Sequence, residues 1–324
     1  MELSGLFSYF VFFLSMVSVY AVLVLGLNIQ WGYNGQLNIG IAAFFAVGAY
    51  TSAIATSPAS PDYLGGFGLP FLAGLALAMV IAGILALAVG LITLKLRSDY
   101  LAIATIGIAE IVRLFLKNED WLTNGVRGMP SIPGPFEGIE GGGEALAYLV
   151  TLLAFVGLVY WVCQRLFRSP WARVLRGIRA NEDAVLAAGK NVLRFRVEAF
   201  VLGSMFMGLG GGLYAHFVGF ISPSAFDPMF ATFVVWVMLI AGGSGNNRGA
   251  LLGALVIWGV WTMSESMIGG LIDIGLLPDG LKTQASALRI FLIGLLLEII
   301  LLTRPQGLLP ERPPRRIDRP TERD

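Results

Sequence analysis

The chain has 324 residues, 56% of them hydrophobic and only 13% charged, with a mean hydropathy of +0.76; soluble domains carry roughly a quarter charged residues, so a soluble globular protein is excluded. The 22 Lys and Arg against 21 Asp and Glu leave a net charge of +1, which gives no support to nucleic-acid binding. One Cys (Cys163) and one His (His216) rule out an intrachain disulfide and any metal site built from several His or Cys ligands.

Apolar runs of about 20 residues, the length that crosses a bilayer core, recur near 9–27, 37–56, 70–94, 100–116, 145–163, 197–217, 230–245, 249–268 and 285–303. They lack the alternation of barrel strands, and backbone polar groups in lipid must be satisfied within their own segment. The expected fold class is therefore an all-α integral membrane protein, a polytopic bundle of about 8–10 transmembrane helices filling residues 1–303. No basic residue precedes the first run and no small-residue cleavage signal follows it, so it reads as a first helix, not a removed signal peptide.

Between the first two runs stand Asn28, Gln30, Trp31, Gly32, Tyr33, Asn34, Gly35, Gln36 and Asn38. Amides and glycines this dense read in one of two ways. One is a broken helix whose freed backbone lines a path for an amino acid; the other is an interfacial turn with Trp31 and Tyr33 in the aromatic belt. Lys95 and Arg97 close the third run on the inner side. In the fourth, Glu110 and Arg113 fall at i, i+3 and can pair on one face. A lone charge at the bilayer centre costs roughly 2.5–3.5 kcal/mol, so pairing or closeness to the interface is expected. The pair either gates the path or recognises the charged groups of a substrate, or it is structural, with Arg113 and Lys117 snorkelling to the outer interface.

Residues 118–144 hold Glu119, Asp120, Glu137, Glu140 and Glu144 against Arg127 alone, and read as an external loop. Residues 164–196 reverse this balance, with Arg165, Arg168, Arg173, Arg176, Arg179, Lys190, Arg194 and Arg196 against Glu182 and Asp183, and read as a cytoplasmic loop. Ser169-Pro170 offers an N-cap and a first-turn proline, and Trp171, Val174, Leu175 and Ile178 follow with helical spacing. Asn181 caps a second short helix, with Glu182 and Asp183 in its first turn and Gly189-Lys190 as its stop. This helix–turn–helix is either a clamp on anionic headgroups of membrane lipids or a docking element for a cytoplasmic partner. The acidic pair favours docking.

Further along, Gly208–Gly212 and Gly249–Gly253 are small-xxx-small spacings for close helix approach, within the chain or between subunits. His216 reads as an interfacial hydrogen-bonding residue, and Gly242–Asn247 as a second Gly-rich break. The Arg- and Pro-rich residues 304–324 read as a disordered cytoplasmic tail. The only Gly-Lys pair, Gly189-Lys190, is followed by Asn191, so there is no P-loop for ATP.

The segments GLNIQWGYNGQLNIGIAAFFAVGAYTSA (26–53), LRSDYLAIATIGIAEIVRL (96–114), SPWARVLRGIRANEDAVLAAGKNV (169–192), GGLYAHFVGFISPSAF (211–226) and AGGSGNNRGALLGA (241–254) resemble, in this order, the LivM-type permease subunits of branched-chain amino acid ABC importers. The resemblance implies a second, LivH-type permease, two ABC ATPase subunits below, and a periplasmic binding protein that delivers the substrate. It also implies residence in a bacterial or archaeal inner membrane, and no cofactor in this chain, ATP and Mg belonging to the ATPases. Glu182-Asp183-Ala184 followed by Gly189 resembles the coupling loop of import permeases, with Asp183 replacing an alanine. By that likeness Trp171, Arg173, Arg176, Arg179, Glu182, Asp183, Ala184 and Gly189 form the ATPase-coupling region. The alternative is an ion-coupled secondary transporter of small polar solutes, which needs intramembrane acids as a coupling site. An enzyme is the weakest reading, for no nucleophile–base or metal constellation is recognisable.

Overall fold

The computed structural model describes residues 3–96, 98–138, 143–273 and 285–311. Arg97, Glu140, residues 274–284 and the tail beyond 311 lie outside the described residues. Helix α1 (Leu3–Leu27) runs directly into a π-helical turn at Asn28–Tyr33. Then come α2 (Ile41–Thr56), α3 (Phe71–Thr93), α4 (Ser98–Asn118), the one-turn α5 (Asp120–Thr123) and α6 (Gly143–Phe167). Two shorter helices, α7 (Pro170–Ala180) and α8 (Glu182–Ala187), precede α9 (Val192–Val218). A second π-helical turn, Met229–Phe233, leads into α10 (Val234–Gly242), followed by α11 (Asn247–Asp273) and α12 (Ala285–Thr303). The protein is an all-α polytopic membrane protein. Each of the nine apolar runs coincides with a helix, and Gly5–Tyr33, Phe71–Thr93 and Gly143–Phe167 are by themselves long and apolar enough to cross a membrane. Ile84, Ile92, Val150 and Leu153 stand exposed on α3 and α6, as expected where the surrounding solvent is lipid.

Helix α9 is the hub, packed on α1, α2 and α3. Lipid supplies no hydrophobic drive for helix association, so close approach through small residues does the work. A Cβ on Gly48 of α2 would collide with the Gly208 carbonyl of α9, and one on Gly211 with the Phe45 carbonyl. Gly208 faces Ala78 and Ala82 of α3, and Gly212 faces Leu75 and Ser52. The other stripe seats α11 on α10, Gly249 against the Gly242 carbonyl and Gly253 against that of Met238. Both small-residue stripes therefore pack within this chain.

The two ends of the bundle differ. At one end the 118–138 loop is pinned to the chain after α9 by the Met129–Ile221 bridge (2.8 and 3.1 Å) and by Ile132 N donating to Gly219 O at 3.1 Å. At the same end His216 Nδ1 donates to Pro133 O (2.8 Å), which leaves Nε2 to accept from Ser52 Oγ at 2.9 Å. His216 is thus a satisfied structural residue. At the opposite end the chain after α12 departs from the expectation of a disordered tail starting at Arg304. Leu308 N donates to Ala241 O and Leu309 N to Gly242 O, both at 2.9 Å. Asn246 Nδ2 reaches the carbonyls of Leu309 and Pro310 at 3.2 Å. Gly243 (φ +115°) and Gly307 (φ +80°) make this docking possible, since a side chain at either would strike the other strand of backbone.

Candidate functional site

The basic loop folds as a helix pair, for the reasons its sequence carries. Ser169 Oγ accepts from Ala172 N at 3.3 Å and Asn181 Oδ1 from Ala184 N at 3.0 Å, each capping its helix. Gly189 (φ +73°) ends α8 in the left-handed conformation. Ala172, Leu175 and Ile178 are buried, with Trp171 and Val174 partly buried beside them, so the apolar stripe of α7 faces the bundle.

The eight residues assigned to coupling divide between two faces. Four are tied inward. Trp171 Nε1 donates to Glu198 Oε2 at 2.8 Å, Glu182 pairs with Arg196 at 2.8 Å, and the Arg176 guanidinium lies 4.5 Å over the Phe167 ring. Arg179 donates through Nη1 to the Gly32 carbonyl in the break after α1 and through Nη2 to Glu311 at 2.5 Å. Gly35 (φ +71°) packs directly on the Arg179 side chain. The other four, Arg173, Asp183, Ala184 and Gly189, are exposed. Leu186, at 50% exposure on α8, joins this outer face. Sequence reasoning missed it because a six-residue helix is too short to display a period.

The break after α1 is a buried polar seam. Asn28 Nδ2 donates to Asn247 Oδ1 (2.9 Å) while Asn28 Oδ1 accepts from Gly245 N (2.8 Å). Tyr33 OH donates to the same Asn247 oxygen at 2.6 Å. The two Gly- and amide-rich breaks, far apart in sequence, therefore meet. Gln30 Nε2 donates to Phe200 O (2.8 Å) and Ser204 Oγ (3.0 Å), and its Oε1 accepts from Asn38 Nδ2 at 2.8 Å. Asn38 O accepts from Trp236 Nε1 at 2.9 Å, and the Trp31 ring meets Trp236 edge-on at 5.3 Å. Tyr33 is fully buried within the chain, its hydroxyl on the Asn247 amide, so it does not present its ring to lipid as a belt residue would. Within this seam, Asn34 has no side-chain hydrogen-bond partner, and Gln36 uses only Nε2, donating to Arg196 O at 2.9 Å.

Glu110 and Arg113 pair as their spacing expects, through two contacts of 2.8 and 2.5 Å. They lie apart from the seam on α4, with side chains 41% and 23% exposed. Neighbouring Ile103 and Ile111 are exposed more strongly, at 67% and 66%. The pair thus sits on an outward rim of the chain.

A family model described as "Branched-chain amino acid transport system / permease component" matches residues 9–301. The chain belongs to this permease family. The permease is 31% identical over 320 residues to the high-affinity branched-chain amino acid transport system permease protein LivM of Salmonella typhimurium, covering 91% of this chain and 69% of the relative. It is also 31% identical to the probable LivM of Methanocaldococcus jannaschii, with 91% of each chain covered. The LivH permease of Escherichia coli is 26% identical over 74% of this permease and 80% of its own length. No solved structure matches. A LivM-type permease component of an ABC importer is therefore the reading that stands, in preference to a secondary transporter.

Proposed function

We propose that the permease pairs with a LivH-type permease to form a path for branched-chain or related neutral amino acids, supplied by a periplasmic binding protein and driven by two ATPase subunits. The names of its LivM and LivH relatives support the substrate class and the pairing. The excess of arginine around α7 and α8 supports a cytoplasmic position for that end, and with it for the C-terminus. In this arrangement the outer face of α8 and Arg173 meet the ATPase. Arg179 passes the displacement to the Gly32 carbonyl, at the point where α1 is broken.

The Arg179 bridge from α7 to the α1 break is the observation that carries this reading. Asn28, Gln30, Tyr33 and Asn38 act as the joint, since their polar groups are committed, Asn28 and Tyr33 to Asn247 and Asn38 to Gln30. Asn34 and Gln36 are the members of the set with polar capacity left for a solute. Trp31 flanks them, and the Glu110–Arg113 pair marks the α4 rim as a wall of the path shared with the second permease. The test is to scramble residues 164–196 at constant charge in the reconstituted importer. Energised uptake is expected to disappear while the permease still inserts; undiminished accumulation would contradict the proposal.

A further inference from the structure

The side of α6 that leaves the bundle carries Leu146, Val150, Leu153 and Gly157, then Trp161 at 56% exposure and Arg165 one turn on. Spacings of three and four residues place these on one helix face. Beyond Trp161 open two adjoining clefts of about 460 Å³ each, which share Gln164 and Arg168. Arg165 borders one of them and Arg248, at the start of α11, the other. Among the described residues no carboxylate lines either cleft and none of these three arginines forms an ion pair. Arg165 lies over the Trp161 ring at 5.3 Å, and Arg248 Nε donates to Tyr160 OH at 3.4 Å. Three arginines therefore border the double cleft, with no compensating carboxylate in its lining among the described residues.

We propose that this double cleft holds the phosphate headgroup of an anionic phospholipid, whose acyl chains lie along the exposed stripe of α6. The order along one helix face decides for a lipid over a free anion or a protein partner: apolar side chains, then a tryptophan at the depth where aromatic rings mark the interface, then arginines at headgroup level. Arginine offers the planar fork that suits phosphate oxygens. A cleft of this volume accommodates a glycerophosphate group. Bound there, the lipid braces α6 against the α10–α11 turn, two elements of this chain that meet over few direct contacts.

The test uses the full chain in phosphatidylcholine vesicles doped with brominated phosphatidylglycerol or, at equal bromine content, brominated phosphatidylcholine. Quenching of Trp161 fluorescence is read as the difference between the native chain and Trp161→Phe. Stronger quenching by phosphatidylglycerol is expected, lost in Arg165→Gln/Arg168→Gln/Arg248→Gln and weakened in the native chain by high salt. Equal quenching by the two lipids would overturn the proposal. So would relief by inorganic phosphate, which marks a free-anion site, or loss of the preference once the ATPase subunits are bound, which marks a protein contact.

Discussion

Gly48 and Asn247 show how much of this fold rests on single atoms. The α2–α9 crossing brings Gly48 onto the Gly208 carbonyl with no room for a methyl group. Gly48→Ala is expected to lower stability by about 1–3 kcal/mol, the usual cost of overpacking. Gly107→Ala, inside α4 on a face with nothing within 4 Å, is the control without a clash and is expected to hold or raise stability, alanine being the better helix former. Thermal unfolding of the purified permease in detergent compares the two. At Asn247 one side-chain oxygen serves both Asn28 and Tyr33. Asn247→Ala strands the buried Asn28 Nδ2 donor and leaves Tyr33 OH only the longer bond to the Cys163 carbonyl at 3.4 Å; a loss of about 1–3 kcal/mol follows from the stranded donor's desolvation. The same unfolding measurement checks it, and an unchanged midpoint would show that the seam does not hold the breaks together.

At the level of elements, α7 and α8 form one unit with two faces. The inner face is apolar and tied to the bundle by the Glu182–Arg196 ion pair and the Trp171–Glu198 hydrogen bond; the outer face presents Arg173, Asp183 and Leu186. Leu186→Asp is expected to weaken co-purification of the ATPase subunits, because it places a charge in the apolar centre of the proposed contact, while leaving the permease folded. Equal recovery of ATPase with wild-type and variant would place the contact elsewhere. Much of this unit was legible in the sequence, since its signals are local. Ser169, Asn181 and Gly189 set the helix ends by chemistry confined to a few residues, and the α7 stripe follows a period. Leu186 escaped because no period fits in six residues.

Across the whole molecule, hydropathy placed a helix at each of the nine apolar runs among the described residues, and the glycine stripes announced close packing without naming the partners. The meeting of Asn28 with Asn247 and the docking of Leu308 and Leu309 on Ala241 and Gly242 left no such trace. Hydrogen bonds between distant polar residues follow from tertiary placement, and neither composition nor periodicity encodes it. The docked tail has a consequence at this scale. Glu311 holds the second branch of Arg179, so Glu311→Gln is expected to reduce coupled uptake less than loss of Arg179 itself, because the bond to Gly32 remains; rates of uptake in proteoliposomes measure the difference.

The most direct trial of the account is Arg179→Gln in the importer reconstituted with the proposed ATPases and binding protein, with ATP hydrolysis and amino-acid uptake followed together. A charge-assisted hydrogen bond contributes about 1.5–3 kcal/mol, equivalent to about tenfold or more in rate. Uptake per ATP hydrolysed is predicted to fall by about that factor while the ATPase subunits stay bound. An unchanged ratio of uptake to hydrolysis would contradict the transmission of ATPase movement through Arg179 to the broken end of α1.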